Sequence, residues 1–290
     1  MRVLLTGASG YLGRHVLARL AAQGIEVVAI GRRAPHAGVP FIAADLLDPA
    51  QLAEAVASAG ATHLLHLAWY AEHGKYWTSP LNLRWVDASV RLTEAFCQAG
   101  GTRVVVAGTC AEYDWADGYC REDHTALVPA TLYGVAKDAA RRLVASVCAQ
   151  HAVPCAWGRV FLPFAQDEDP RRLLPSLLAV FKGEKPPFGV NASAYRDFLH
   201  ADDVADAFIA LLRSRMDGSC NISSGQPVRI AEVVTRLALA SGRDARIVLD
   251  LSSERPGEPP LLVGAPGKLH ALPWRPARSL DDFLDSAGNG

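Results

Sequence analysis

A tyrosine and a lysine stand four residues apart in the segment TLYGVAK, at Tyr133 and Lys137. The surrounding run, PATLYGVAKDAARRLVASVCAQ, is rich in Ala, Leu and Arg and predicts a helix. Residues four apart share one helix face, so a phenol and an ammonium are expected side by side. Such a pair is either a solvated surface contact or a proton donor beside the cation that tunes it. The spacing alone does not distinguish the two.

A glycine-rich turn follows the first predicted strand, RVLLT. In LLTGASGYLGRHV, Gly7, Gly10 and Gly13 stand between that strand and a predicted helix. In a dinucleotide site the first glycine allows the tight turn, the second lets the backbone approach a pyrophosphate at the helix N-terminus, and the third allows close packing. The turn therefore predicts a dinucleotide cofactor, with Tyr11 and Leu12 as further contacts.

The end of the second predicted strand, EVVAIG, indicates which dinucleotide binds. A site for NAD normally has Asp or Glu there, bound to the ribose 2′-OH. Here Arg32 and Arg33 follow Gly31, and guanidinium groups pair with a 2′-phosphate that a carboxylate would repel. The expected cofactor is NADP(H), with NAD(H) as the alternative. Arg14 could add charge at the same place, and Asp45 could reach the adenine or serve as a loop cap.

Apolar strands alternate with longer helical patterns along the chain, as in HLLHLA, RVVVAGT and PCAWGRVF. This alternation predicts an α/β fold, a Rossmann doubly wound parallel sheet with a smaller C-terminal substrate-binding α/β lobe. We expect residues 1–160 to form the dinucleotide-binding domain, with 195–225 returning to it. The smaller domain is expected to comprise 161–194 and 226–290.

Composition excludes several classes of function. Of the 290 residues 50% are hydrophobic and the formal net charge is −1, so neither a nucleic-acid partner nor a membrane surface is expected. The six cysteines lack C-x-x-C or metal-ligand spacing, which predicts buried thiols and no metal site. The start, MRVLLTGASG, has no long apolar region and no run is long enough to cross a bilayer. A cytoplasmic protein is therefore expected.

The motifs together resemble the extended branch of the short-chain dehydrogenase/reductase superfamily, the NAD-dependent epimerase/dehydratase family that acts on nucleotide sugars. The resemblance covers nearly the whole chain. It rests on TGASGYLG, HLLHLA and YGVAK, then on RDFLHADDVADAF, CNISSGQPVRI and RPGEPP followed by LPW. Several of the motifs are only moderately specific by themselves, but in this order and spacing they are together highly specific.

The resemblance implies a catalytic set of Thr109, Tyr133 and Lys137. Tyr133 would donate a proton to a substrate carbonyl that Thr109 polarises. Lys137 would bond the nicotinamide ribose and, with the nicotinamide charge, lower the pKa of Tyr133. Other residues expected at the cofactor are Leu46, Leu67 and Ala68.

The residues that follow Thr109 argue against two related chemistries. Dehydratase relatives have an Asp-Glu pair directly after the Thr, where this chain has Cys110 and Ala111. Some epimerising reductases use a Cys two positions after the Ser or Thr, which is Ala111 here, so Cys110 is expected to pack. Glu112 could face the substrate pocket.

Substrate contacts follow from the resemblance and from one aromatic segment. Arg196 and Arg255 match positions at which family members meet the nucleotide diphosphate. Trp69 opens the segment WYAEHGKYWTSP (69–80), which could line the sugar or base pocket or pack the loop. Asn82 matches a family Asn whose role is more structural than chemical.

The leading hypothesis is NADPH-dependent reduction of a 4-keto-6-deoxy nucleotide sugar in deoxysugar or glycan biosynthesis. The alternative is an NAD-dependent nucleotide-sugar 4-epimerase, and a non-catalytic dinucleotide sensor is a third hypothesis. By resemblance, a homodimer is expected through helices 82–99 and 130–150. Its seam would comprise Val86, Val90, Leu143 and Val147.

Overall fold

The computed structural model of the protein describes residues 1–35, 38–254 and 257–286. The strands in these residues are β1 (Arg2–Thr6), β2 (Glu26–Gly31), β3 (Phe41–Ala43), β4 (His63–His66), β5 (Arg103–Thr109), β6 (Tyr119–Cys120), β7 (Cys155–Val160), β8 (Leu162–Phe164), β9 (Tyr195–Arg196), β10 (Phe198–His200), β11 (Gly218–Ile222), β12 (Val228–Arg229) and β13 (Leu261–Gly264). The helices are α1 (Tyr11–Ala22), α2 (Pro49–Ala59), α3 (Leu81–Gln98), α4 (Leu132–Gln150), α5 (Leu173–Phe181), α6 (Ala201–Arg213), α7 (Ile230–Ala240), α8 (Arg246–Leu249), α9 (Gly267–His270) and α10 (Leu280–Ser286).

A parallel sheet forms the centre of the fold, with the strand order β11-β7-β5-β4-β1-β2-β3. Every neighbouring pair in it is parallel. The chain winds outward from β1 in one direction through β2 and β3, and in the other through β4, β5, β7 and β11. The predicted Rossmann doubly wound sheet is therefore confirmed, and the carboxyl ends of β1 and β4 meet where the winding reverses.

Both faces of the sheet are covered, which is why its strands are apolar rather than alternating. Leu5 and Val105 pack in one core with α1 and α6, whereas Leu4 and Val104 pack in a second core with α2, α3 and α4. All seven residues of β5 are buried, so this strand provides a rigid support for the residue at its end.

A third core lies outside the main sheet. It joins α5, α7 and α10 to β8 and β10, with Leu177, Phe181 and Val234 among its fully buried residues. Strand β11, from the segment predicted to return, pairs with β7 at the edge of the main sheet. The domain boundaries themselves stay a prediction.

The glycine turn is where backbone segments approach most closely. Gly7 has a φ of 75°, a conformation that favours glycine, and a Cβ there would lie 2.8 Å from the backbone nitrogen of Ala68. A Cβ at Gly13 would lie 1.9 Å from the carbonyl oxygen of Gly7. The first turn of α1 can therefore reach the end of β1 only because both positions lack a side chain.

Gly13→Ala tests this close approach. The added methyl meets backbone atoms that cannot rotate away, so we expect the free energy of unfolding to fall by about 1–3 kcal/mol. Denaturant unfolding followed by circular dichroism measures the change. Gly267→Ala is the matched control, because nothing lies within 4 Å of a Cβ built there. Equal stability of the two variants would contradict the packing described.

Candidate active site

Thr109 and Tyr133 are brought together by the end of β5 and the start of α4. The Thr131 side chain caps α4 by accepting from the amide of Gly134, 3.1 Å away. A Cβ at Gly134 would lie 2.2 Å from the carbonyl oxygen of Ala111, so α4 begins directly against the turn that follows β5. This contact places Tyr133, in the first turn of α4, within hydrogen-bonding reach of the Thr109 side chain.

Aromatic rings enclose Tyr133. The ring centroids of Tyr76 and Trp77 lie 4.8 Å and 5.7 Å from its own, both edge-on. Burial raises the pKa of Tyr133, the hydrogen bond to Thr109 lowers it, and Tyr76 raises it further. The net direction is upward, opposite to the lowering expected from the sequence, because desolvation of the phenolate outweighs the other influences.

Lys137 is buried, with 4% of its surface exposed. Its Nζ donates to the carbonyl oxygen of Ala107 at 2.9 Å and lies 3.9 Å from the centroid of the Trp69 ring. Burial lowers the pKa of Lys137 to about 7, and the negative charge of Glu112 opposes that shift. The ammonium is thus poorly solvated, and few protein groups stabilise its charged form.

Glu112 does not face a pocket, and this corrects the expectation that it could contact substrate. It is fully buried, and one carboxylate oxygen accepts from the Thr109 amide at 2.9 Å and from Trp157 Nε1 at 2.8 Å. The other oxygen accepts from Arg159 Nε at 2.7 Å. Both oxygens are engaged by the protein, so Glu112 holds the end of β5 and with it Thr109.

Sequence reasoning missed Arg159. It lies within the buried strand β7, CAWGRV, and only 1% of its side chain is exposed. A guanidinium in an apolar strand needs a buried acidic partner, and this was the available signal. Its Nη1 also donates to the hydroxyl of Tyr113 at 2.9 Å, which extends the network around Glu112.

Asn82 fastens the aromatic segment beside the candidate catalytic residues. It is fully buried, and its Nδ2 donates to the carbonyl oxygens of Tyr76 at 2.7 Å and Ser79 at 3.0 Å. Its Oδ1 accepts from Trp69 Nε1 at 2.8 Å. These contacts agree with the structural role expected of Asn82. A substrate contact by Trp69 stays a prediction.

The start of α1 fits the diphosphate of a dinucleotide. Gly10 is the N-cap and no side chain caps the helix, whose first turn contains no acidic residue. The amides of residues 11–13 are therefore available to an anion, as expected of helix N-termini. Leu67 and Ala68 adjoin this turn, with both amides donating to Thr6 Oγ1 at 3.2 Å and 3.1 Å. Among the described residues, the buried hydroxyl of Tyr11 has no protein partner.

The arginines predicted at the ribose divide into two groups. Arg32 and Arg33 are exposed in a bend directly after β2, at the carboxyl edge of the sheet. Arg14 instead donates to the Asp167 carboxylate at 2.9 Å. Its guanidinium thus pairs with an acidic residue in this structure, and a contribution of Arg14 at the ribose stays a prediction.

Asp45 has a local partner, since its Oδ1 accepts from the amide of Leu47 at 3.0 Å. It therefore caps the loop, one of the two roles expected, while a contact with the adenine stays a prediction, as does one by the buried Leu46. The guanidinium of Arg196 donates to Glu258 at 2.6 Å and to the carbonyl oxygen of Pro259 at 2.8 Å.

Arg255, the other arginine expected at the diphosphate, lies outside the described residues. A contact of either arginine with a substrate diphosphate stays a prediction.

The cysteines are all buried free thiols, as predicted, and Cys110 packs in a small core with Tyr113 and Phe161. No group of three or more His, Cys, Asp or Glu residues in the described parts of the chain could hold a metal ion. No helix in those same segments has both the length and the apolar character needed to cross a membrane.

Known proteins resemble this chain over nearly its full length. It is 28% identical to UDP-glucose 4-epimerase of Azospirillum brasilense, covering 99% of this chain and 90% of the relative. A solved structure of MoeE5 in complex with UDP-glucuronic acid and NAD superposes with a TM-score of 0.86 at 29% identity, covering 100% of this chain and 98% of the other. UDP-glucose 4-epimerase from Thermus thermophilus, solved with NAD, superposes with a TM-score of 0.83 at 25% identity and the same coverage.

Residues 3–223 match the profile of one family, described as the NAD dependent epimerase/dehydratase family. The match spans β1 to the end of β11, and so includes the glycine turn, Thr109, Tyr133 and Lys137. The resemblance inferred from the motifs is therefore confirmed, and the chain belongs to the NAD-dependent epimerase/dehydratase family, within the extended short-chain dehydrogenase/reductases.

Proposed function

We propose that the protein is an NAD-dependent nucleotide-sugar 4-epimerase. The observation that carries this proposal is the meeting of Thr109 and Tyr133, with Lys137 on the next turn of α4, at the carboxyl edge of a sheet that also carries the glycine turn. Two of the three relatives named above are UDP-glucose 4-epimerases, and they favour epimerisation over the 4-ketoreductase that the sequence suggested first.

The chain's own residues would manage the proton at the sugar oxygen. A bound nicotinamide would accept and return the hydride. Oxidation at C4 would require Tyr133 as the phenolate, which accepts the proton of the sugar 4-hydroxyl, and charged Lys137 would favour that form. Burial raises the pKa of Tyr133, so its phenolate is a strong base for this step, and the phenol so formed would return the proton to the C4 oxygen when the hydride is returned. Thr109 Oγ1 accepts from the Ala111 amide at 3.2 Å, which orients its hydroxyl toward the same oxygen.

The reductase remains a second candidate because of one observation. Arg32 and Arg33 stand exposed where a 2′-phosphate would lie, and no carboxylate follows β2 directly. A reductase exchanges its cofactor and draws on NADPH, whereas an epimerase keeps its NAD. The substrate under both candidates is a nucleotide-diphosphate sugar. We infer that the smaller lobe, 161–194 and 226–290, binds it against the Rossmann domain.

The two candidates differ in net redox change. Incubation with UDP-glucose or UDP-glucuronic acid and NAD should give the 4-epimer, seen by proton NMR, with no net change in nicotinamide absorbance. Stoichiometric oxidation of NADPH by a 4-keto-6-deoxy nucleotide sugar, without epimerisation, would instead establish the reductase.

Tyr133→Phe tests the proton transfer. We expect turnover to fall by about 10²–10⁴-fold, the usual contribution of a positioned acid or base, while cofactor affinity stays close to that of the wild type. Initial rates and fluorescence titration measure the two quantities. Tyr119→Phe removes a hydroxyl from a residue of β6 that is 44% exposed and should leave turnover unchanged. Full activity of Tyr133→Phe would refute the mechanism.

Arg32→Ala combined with Arg33→Ala tests the cofactor. If both guanidinium groups bind a 2′-phosphate, the Kd for NADPH should rise about tenfold or more, since charge-assisted bonds are lost, and the Kd for NADH should change little. Isothermal titration measures both. Arg84→Ala, an exposed arginine on α3, is the control. Wild-type preference for NADH, or equal weakening of both cofactors, would remove the support for the reductase.

A homodimer through α3 and α4 is proposed from exposed apolar side chains on both helices. Leu83 is 59% exposed, Val135 47% and Leu143 48%. Val86, Val90 and Val147 of the expected seam are half-buried. We expect Leu143→Glu to shift the protein to monomers in sedimentation velocity experiments, because a carboxylate would be buried between copies. Leu239→Glu, at a 79% exposed leucine on α7, is the control. A monomeric wild type would contradict the proposal.

A further inference from the structure

The Lys137 ammonium is poorly compensated for its burial. Its three N–H groups have one carbonyl acceptor in the described residues, that of Ala107, and the face of the Trp69 ring lies over it at 3.9 Å. A buried cation without good partners loses its proton easily. The Trp69 ring and the Ala107 carbonyl oxygen therefore take the place of water around this ammonium.

Two contacts fix the Trp69 ring in this orientation. Its Nε1 donates to Asn82 Oδ1 at 2.8 Å, and the ring stacks on Trp85 with centroids 6.2 Å apart and planes at 29°. Asn82 is itself fully buried and anchored to two backbone carbonyls. These contacts fix the orientation of the Trp69 ring, so that its face lies against Lys137.

We propose that Trp69 is a positioning residue, whose ring holds the Lys137 ammonium in place and stabilises its charged form. A cation over an indole face is attracted by the negative charge of the ring, most strongly where water is excluded. The contact between Trp69 and Lys137 does not depend on the proposed function. Only the role of Lys137 in turnover rests on it. It assigns Trp69 a role toward the lysine, beyond the substrate contact suggested by the sequence.

The other ionisable groups around Lys137 do not replace the ring. Glu112 attracts the ammonium, but its carboxylate is bound to Arg159. His66, at the end of β4, is neutral, because burial lowers its pKa to about 3 and the charge of Lys137 lowers it further. On α4 itself, Tyr133 is a protonated phenol and Asp138 pairs with neighbouring arginines. Replacing Trp69 removes a contact of the Lys137 ammonium without changing the charge of the site.

The titration of Lys137 can be observed directly. The chain has five lysines, at 75, 137, 182, 185 and 268, so protein labelled with ε-¹³C-lysine gives few signals and Lys137→Met assigns one. We expect the Lys137 signal to titrate near pH 7 in the wild type. In Trp69→Leu its midpoint should fall by about half to one pH unit, and in Trp69→Phe by less, because a phenyl ring retains part of the attraction.

Trp115→Leu is the matched control, since it removes an indole near the candidate site whose ring contact is with Trp77 and not with Trp69. Its Lys137 midpoint should equal that of the wild type. An unchanged midpoint in Trp69→Leu, or an equal fall in Trp115→Leu, would overturn the proposal. Should Trp69→Leu fail to fold, Trp69→Phe decides: a midpoint identical to the wild type rejects the role. The titration needs no substrate, so failure of the proposed 4-epimerase activity would leave its result intact.

Discussion

The buried carboxylate of Glu112 links the end of β5, which carries Thr109, to strand β7, which carries Arg159. It receives the Thr109 amide at the end of β5 and the Arg159 guanidinium from β7, and it is fully buried. Breaking a buried ion pair by removing one partner strands the other charge, which is strongly destabilising. The position of Thr109, and of α4 packed against the following turn, therefore depends on this buried network.

The same enclosure governs the protonation of the two groups that would do chemistry. Burial raises the pKa of Tyr133 and lowers that of Lys137 to about 7, so both are pushed toward their neutral forms. The Lys137 ammonium then contacts a carbonyl oxygen and an aromatic face, and the charge of the Glu112 carboxylate also favours its protonated form. The pKa values of Tyr133 and Lys137 should therefore respond strongly to a charged group placed beside them, since little water is present to screen the interaction.

The cofactor end relies on backbone geometry rather than side-chain chemistry. Gly7 and Gly13 permit the contact between β1, β4 and α1, and the uncapped start of α1 offers amides to an anion. Arg14, which adjoins this turn, is occupied by Asp167. The glycine turn could be predicted from the sequence because its conformation is local, whereas the Arg14–Asp167 ion pair could not, because the two residues are 153 positions apart.

The sequence by itself determined the doubly wound sheet, the glycine turn, the family and the candidate set of Thr109, Tyr133 and Lys137. These features are encoded in local spacing, which strand and helix periodicity preserves. Only the tertiary structure decided that Glu112 faces Arg159 and that Trp69 lies over Lys137. The direction of the Tyr133 pKa shift was decided there too, because burial and contacts between distant segments arise only when the chain is folded.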